Sequence, residues 1–133
     1  MKRTNIFLGA LLFLMVTSCG TTGKFPVSDV IPAADIDLKV KEDKNENYKI
    51  SVKAKHIASP DRLNPPASYY VVWVDTYDGY KNVGQLRSKN AKRAELQTLS
   101  PFAFNEILIT AESNGDASYP EGVVISRTTF DHN

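Results

Sequence analysis

Side chains able to do metal or acid–base chemistry are few and widely spaced in this sequence. Its only histidines are His56 and His132, and Cys19 is its single cysteine. Zinc and copper sites draw most of their ligands from histidine and cysteine, usually with short spacings between ligands. The sequence therefore predicts no such site. We expect His56 to close a β-strand and His132 to lie in the C-terminal tail.

A calcium site is the metal alternative that the acidic residues leave open. Asp75, Asp78 and the segment 112–116 could bring several side-chain oxygens to one ion, and oxygen is the ligand that Ca²⁺ prefers. The spacing of an EF-hand loop is absent, and Asp, Asn and Gly favour turns without any metal. We predict no bound metal and no cofactor.

The sequence carries no recognisable catalytic pattern. No serine lies in the G-x-S-x-G arrangement that exposes a nucleophile, and only two histidines are present to act as a base. Two acidic residues brought together by the fold could still form the carboxylate pair of a glycosidase. We predict a non-catalytic protein, with a small hydrolase or carbohydrate-acting domain as the alternative.

Tyrosines near loops are the best candidates for a binding surface. Tyr77 and Tyr80 flank the turn-forming Asp78 and Gly79, and Tyr119 precedes Pro120. Tyrosine combines an apolar ring with a hydroxyl group and is enriched at protein interfaces. Tyr77, Tyr80 and Tyr119 are therefore candidate partner-binding residues. Core packing is the alternative explanation for tyrosines in such a chain.

The first eighteen residues predict an export signal. Lys2 and Arg3 make the start positive, residues 6–16 form an apolar run, and residues 17–18 are small. This order is typical of secretory signal peptides. The run is too short for a membrane-spanning helix, which needs about 20 apolar residues. We predict that residues 1–18 are removed on export.

Residues 16–20, V-T-S-C-G, resemble the cleavage region of a bacterial lipoprotein. In that family the cysteine sulfur carries a diacylglycerol, which palmitate can label, and a peptidase cuts the chain before that cysteine. The resemblance implies lipid attachment at Cys19 and a lipid-anchored location in the bacterial cell envelope. Gly20 stands where inner-membrane lipoproteins carry aspartate, which favours the outer membrane over the inner one. An ordinary cleaved signal followed by an accidental cysteine is the alternative.

Removal of residues 1–18 leaves 115 of the 133 residues, the size of one domain. The loss of Lys2 and Arg3 lowers Lys+Arg from 16 to 14 against 15 Asp+Glu, a net charge near −1. This balance argues against a nucleic-acid partner, which requires a strongly basic surface. Lysines at positions 39, 41, 49, 53 and 55 alternate with apolar residues, and together with Lys44 they are predicted to be solvated on the outer faces of strands.

The hydrophobic pattern after the signal is that of short strands. Residues 19–26 have no apolar periodicity and predict a flexible, lipid-anchored tether, and residues 27–133 form the predicted folded domain. Val27 and Val30 are expected in an extended edge segment. Apolar residues alternate over 36–40 and over 48–54, which predicts two strands joined by a hairpin at 42–46.

Residues 69–74 are apolar without a break, as expected of a central strand covered on both faces. Trp73 lies in this strand and is predicted to pack in the core, between the two sheets of the sandwich described below. Asp78 and Gly79 predict a turn, and residues 82–88 predict the returning strand, with a bulge at Gly84. Segment 91–99 is assigned as a strand, although its composition also allows a helix. Altogether about seven strands predict an antiparallel, immunoglobulin-like β-sandwich.

Segments 70–74, 78–79, 82–86, 109–112 and 119–122 together resemble the extracytoplasmic C-terminal domain of the anti-sigma-K factor family. The resemblance covers about residues 68–128 and implies a β fold on the exported side of the membrane. That family binds its sigma factor through a cytoplasmic zinc-containing domain and crosses the membrane once. This sequence shows neither feature, so sigma-factor binding is not implied. We expect a membrane-anchored module that binds an envelope protein or glycan.

Overall fold

The computed structural model describes residues 20–90 and 92–130, which form two packed β-sheets. Its strands are β1 (Thr21–Lys24), β2 (Asp35–Glu42), β3 (Tyr48–Lys55), β4 (Tyr69–Thr76), β5 (Gly79–Gln85), β6 (Arg87–Asn90), β7 (Arg93–Ser100), β8 (Glu106–Glu112) and β9 (Val123–Thr129). A short 3-10 helix (Pro60–Arg62) precedes β4. Within these two ranges no helix has the length and apolar character needed to span a membrane.

The strand order is that of an immunoglobulin-like sandwich. Sheet A has the order β1-β2-β3-β7-β6 and sheet B the order β5-β4-β8-β9. All pairings are antiparallel. Strands β2, β3, β7 and β6 correspond to A, B, E and D of the immunoglobulin fold, and β5, β4, β8 and β9 correspond to C′, C, F and G. The predicted antiparallel β-sandwich is confirmed.

The described residues contain two strands more than the seven predicted. Strands β5 and β6 were expected to be one strand over 82–88, but they belong to different sheets. The chain crosses between the sheets at Leu86, which is buried. The other additional strand is β1. Strand β7 confirms that residues 93–99 adopt the extended conformation rather than the helical alternative.

Strands β2 and β3 form the predicted hairpin, with one face buried and the other exposed. Asp43 holds the turn, since its carboxylate accepts hydrogen bonds from the backbone N–H groups of Asn45 (2.8 Å) and Asn47 (3.0 Å). These backbone hydrogen bonds lower the pKa of Asp43 because they favour its ionised form. The turn thus uses the local side-chain chemistry expected of Asp and Asn.

Strand β4 occupies the interior of sheet B, and its residues 70–74 are all buried, as predicted. Gly79 opens β5 with a φ of 97°, a conformation that glycine adopts without strain. Gly84 lies opposite the register shift between Val72 and Trp73, and its φ is 137°. The predicted bulge is therefore present.

The segment predicted to be a flexible tether contributes a strand to the fold. Thr21–Lys24 pairs with residues 37–40 of β2, and Phe25, which follows it, is buried with its N–H donating to the Ile36 carbonyl (2.9 Å). An edge strand needs only backbone partners on one side, so hydrophobic periodicity did not reveal it. The extended segment expected around Val27 and Val30 is irregular instead.

Trp73 is fully buried, but the prediction that it packs between the two sheets is wrong. Side chains alternate along β4, so Val72 and Val74 enter the main core while Trp73 projects from the outer face of sheet B. There it packs with Val71 and Leu108 and is covered by partly buried residues. Sheet B therefore has a small second core on the side facing away from sheet A.

Candidate binding site beside the β8–β9 loop

The connection between β8 and β9, residues 113–122, folds back across the outer face of sheet B. Asn82 of β5 holds it there, since its side-chain amide donates hydrogen bonds to the carbonyls of Gly115 (2.9 Å) and Ala117 (3.1 Å). The Asn82 Oδ1 atom accepts a hydrogen bond from the Gly84 N–H (2.9 Å). Ala117 packs against the Trp73 cluster. The loop thus shields part of the second core from solvent.

A buried carboxylate at the end of β8 fixes the second half of this loop. Glu112 is 3% exposed, and its carboxylate accepts hydrogen bonds from the backbone N–H groups of Glu121 (3.2 Å) and Gly122 (3.0 Å). The Thr110 hydroxyl donates to the same carboxylate (2.5 Å) and accepts from the Trp73 indole N–H (2.8 Å). This network ties the loop to the centre of sheet B.

Two glycines allow the loop to approach the sheet closely. A Cβ atom at Gly122 would lie 1.7 Å from the Ala111 carbonyl oxygen, and one at Gly115 would lie 2.2 Å from the Gln85 amide nitrogen. The first contact is with backbone, which cannot move without breaking the β8–β9 pairing. A side chain at position 122 is therefore incompatible with this loop conformation.

An open cleft of about 600 Å³ lies between this loop and the segment before β4. Its walls include Pro65 and Pro66 on one side and Asp116, Tyr119 and Glu121 on the other. The Tyr119 side chain is 62% exposed, and its hydrogen bond to the Glu121 carboxylate raises the pKa of Tyr119. The cleft thus offers apolar and aromatic surface bordered by carboxylates.

The structure separates the three candidate tyrosines. Tyr77 is fully exposed and Tyr80 partly buried, and both lie in or beside the β4–β5 hairpin. The Tyr80 hydroxyl donates a hydrogen bond to Glu106 (3.1 Å), and burial together with this bond raises the pKa of Tyr80. This hairpin lies where β8 begins, whereas the Tyr119 loop starts where β8 ends. Tyr77 and the Tyr119 loop therefore lie near opposite ends of β8, whereas Tyr80 packs against the Trp73 cluster that the loop also covers.

The candidate metal-binding residues are also kept apart. Asp75 and Asp78 belong to the β4–β5 hairpin, and Asp116 lies in the β8–β9 loop, where its N–H donates to the Asn114 side chain (3.0 Å). Across residues 20–90 and 92–130 no group of three His, Cys, Asp or Glu side chains is arranged to hold a metal ion. These carboxylates do not form the calcium arrangement considered from the sequence.

His56 directly follows β3, as predicted, and is exposed. It is not among the residues that line the cleft, whose serines are Ser113 and Ser118. The structure therefore does not bring this histidine to a cleft serine. Cys19 and His132 lie outside the described residues.

Sequence reasoning missed the structural roles of Glu112 and Asn82. A signal for Glu112 was present, because it follows Leu108 and Thr110 with a period of two and so faces the same side of β8 as both. A carboxylate at such a position in a buried strand needs hydrogen-bond donors. The identity of those donors, two backbone N–H groups nine and ten residues later, has no signature in the spacing.

Comparisons of the chain with protein-family models, with curated proteins and with solved structures found no match.

Proposed function

We propose that the protein is a non-catalytic lipoprotein of the bacterial cell envelope, anchored through lipid on Cys19, that binds a protein or glycan partner. Signal-like residues 1–18 and the single cysteine that follows them support the anchor. The partner is expected to combine apolar groups with positive charge or hydroxyl groups. Such a ligand complements the aromatic and acidic walls of the cleft.

One observation carries the binding role. The 113–122 loop is fixed by Glu112 and Asn82, yet it holds Tyr119 largely exposed at the edge of the cleft. A binding surface that is already ordered loses less conformational entropy when the partner binds. Exposed aromatic residues on such surfaces are frequent contributors to binding energy. Tyr119 is therefore the candidate contact residue that the geometry favours.

The proposal is tested by photo-crosslinking in intact cells. A photoreactive phenylalanine is placed at position 119 in one variant and at position 77 in another. Tyr77 is a matched control because it is fully exposed and lies in the hairpin near the opposite end of sheet B. A discrete adduct from position 119 alone supports the proposal. Adducts from position 77 alone, or none from either position, contradict binding at the cleft.

A second variant separates binding from stability. Tyr119→Ala removes an exposed side chain, so the free energy of unfolding should change by less than about 0.5 kcal/mol. Crosslinking from a photoreactive residue at the neighbouring position 118, which also lines the cleft, should be lost in this background. Unchanged crosslinking would show that Tyr119 does not contact the partner.

A further inference from the structure

The outer face of sheet A collects positive charge from several strands. Strand β2 exposes Lys39 and Lys41 there, and β3 exposes Lys49, Lys53 and Lys55. Each strand alone has the ordinary alternation of an apolar and a solvated face. The register of the sheet brings these residues onto one continuous surface.

Strands β6 and β7 extend this basic surface with Arg87 and Arg93, which are both exposed. The acidic residues on the face are few, and they already have partners. Lys24 lies 2.8 Å from Asp35 and 2.7 Å from Asp37, and Lys89 lies 3.7 Å from Glu95. Within the described part of the chain, the seven other cations of this face form no ion pair.

The charge of the molecule is therefore strongly divided between its surfaces. Among residues 20–90 and 92–130, the outer face of sheet A carries nine cations and three anions, and the remaining residues carry five cations and eleven anions. The net charge near −1 conceals this separation. An anionic surface would be attracted to one side of the sandwich and repelled by the other.

The sheet also places like charges directly opposite each other. Lys41 is the register partner of Lys49, and Lys55 is the partner of Arg93 on one side and of Asp35 on the other. Like-charged pairs destabilise a sheet, whereas opposite charges at the same positions would stabilise it. Neighbouring strands are about 4.8 Å apart, so an anionic partner lying across them would relieve both repulsions.

The basic face adjoins the predicted lipid. Strand β1, at the edge of sheet A, begins at Thr21, two residues after Cys19. A shallow depression of about 280 Å³ lies on this face and is lined by residues that include Thr22, Lys39, Ser51 and Lys53. Asp37 also lines it, and its carboxylate is paired with Lys24. Hydroxyl and ammonium groups are common ligands of phosphate oxygens.

We propose that the outer face of sheet A binds the anionic phospholipid surface of a membrane. The proposal rests on the proposed function only in that Cys19 brings the domain to a bilayer. The two outer faces of a sandwich point in opposite directions, so this contact turns the 113–122 loop and its cleft away from the membrane. The cleft is then presented to a partner in the aqueous part of the envelope.

The test uses the unlipidated chain beginning at Gly20, because all described strands and both core clusters lie within residues 21–130. Its co-sedimentation is measured with phosphatidylcholine vesicles that contain or lack about 30% phosphatidylglycerol. We expect binding only to the anionic vesicles, and we expect added salt to weaken it. Equal binding to both kinds of vesicle, or to neither, would overturn the proposal.

A charge-neutralised variant tests the assigned face. Each basic residue near an anionic bilayer contributes about a fivefold factor in partitioning, so Lys39→Gln, Lys41→Gln and Lys49→Gln together should weaken binding roughly 100-fold. Removal of the repulsion between Lys41 and Lys49 should leave the variant as stable as the parent, which a thermal melt checks. Wild-type binding by this variant would contradict the assignment.

The matched control removes the same number of charges elsewhere, through Arg62→Gln, Lys81→Gln and Arg127→Gln, which lie off the outer face of sheet A. It should bind like the parent chain, and an equal loss of binding would overturn the role of this face. Tighter binding to duplex DNA than to vesicles of equal phosphate concentration would also overturn the proposal. Because the chain used in this test carries no lipid, a lack of vesicle binding would contradict the role of the basic face without contradicting lipid attachment at Cys19.

Discussion

At the scale of single residues, the outer face of sheet B depends on one buried carboxylate. Glu112 accepts hydrogen bonds from two backbone N–H groups and from Thr110, which in turn accepts from Trp73. A buried charged group is tolerated when several donors satisfy it, and charged hydrogen bonds are stronger than neutral ones. The network therefore links the burial of Trp73 to the conformation of the cleft loop.

Gly122→Ala tests the close approach of this loop to β8. The added Cβ would meet the Ala111 carbonyl oxygen at 1.7 Å, so the free energy of unfolding should fall by about 2–3 kcal/mol. Urea denaturation measures the change. Gly23→Ala is the control, since nothing lies within 4 Å of its added Cβ. Equal stability of the two variants would show that the loop does not pack as described.

Tyr70 provides a prediction for alkaline pH. Its hydroxyl donates to the Ala58 carbonyl (2.6 Å), and burial, with a smaller effect of Asp61, raises the pKa of Tyr70 to about 12. The unfolded phenol ionises near pH 10.0, so between these values the folded state keeps a proton that the unfolded state has lost. This contribution to stability is complete below pH 10 and is lost as the pH rises towards 12.

We therefore expect the free energy of unfolding to fall by about 1–2 kcal/mol across this interval through Tyr70 alone. Tyr70→Phe should make the fall shallower, although it lowers stability at neutral pH by removing one hydrogen bond. Tyr77→Phe, which removes a fully exposed hydroxyl group, is the control. Urea titrations at a series of pH values measure the slope. An unchanged slope in Tyr70→Phe would exclude this role.

At the scale of secondary-structure elements, sequence periodicity predicts those strands that bury one face. Strands β2 and β3 were recognisable because Ile36, Leu38 and Val40 alternate with charged residues, and β4 because residues 69–74 are apolar throughout. Strand β1 has no such pattern, since its four residues are all exposed and backbone hydrogen bonds alone define it. The conformation of the 113–122 loop also could not be predicted from sequence periodicity, because it depends on hydrogen-bond partners that are distant in the chain.

Phe25 tests whether the segment after Cys19 belongs to the fold. Phe25 is 6% exposed and follows β1 directly, so Phe25→Ala should reduce the free energy of unfolding by about 3 kcal/mol. Val27→Ala, two residues later at a position 75% exposed, should have an effect below about 0.5 kcal/mol. Chemical denaturation compares them. If both variants changed the free energy of unfolding by less than about 0.5 kcal/mol, the segment would be a flexible tether, as predicted from the sequence.

At the scale of the whole molecule, the sandwich separates two surfaces of opposite character. The outer face of sheet A is basic, and the outer face of sheet B carries the acidic loop with Asp116 and Glu121. The sequence predicted that the lysines of β2 and β3 are solvated, which the structure confirms. The sequence did not predict the total positive charge of this face. That charge comes from several strands that are distant in the chain and are brought together by the register of the sheet.

These surfaces give the proposed lipoprotein a defined orientation. Lipid on Cys19 would lie two residues from β1, at the edge of the basic sheet. Attraction between this sheet and anionic headgroups would hold the domain flat against the bilayer. The Tyr119 cleft would then face the aqueous part of the envelope. Both the anchoring and this orientation depend first on whether Cys19 carries lipid.

Metabolic labelling with radioactive palmitate tests this central claim most directly. The wild-type chain should incorporate the label, partition into the detergent phase and lose residues 1–18. Cys19→Ser should abolish labelling and detergent partitioning and leave the precursor uncleaved by the lipoprotein peptidase. A wild-type protein that is cleaved and exported but carries no palmitate would contradict the account, and Cys19 would then be an ordinary residue after a secretory signal.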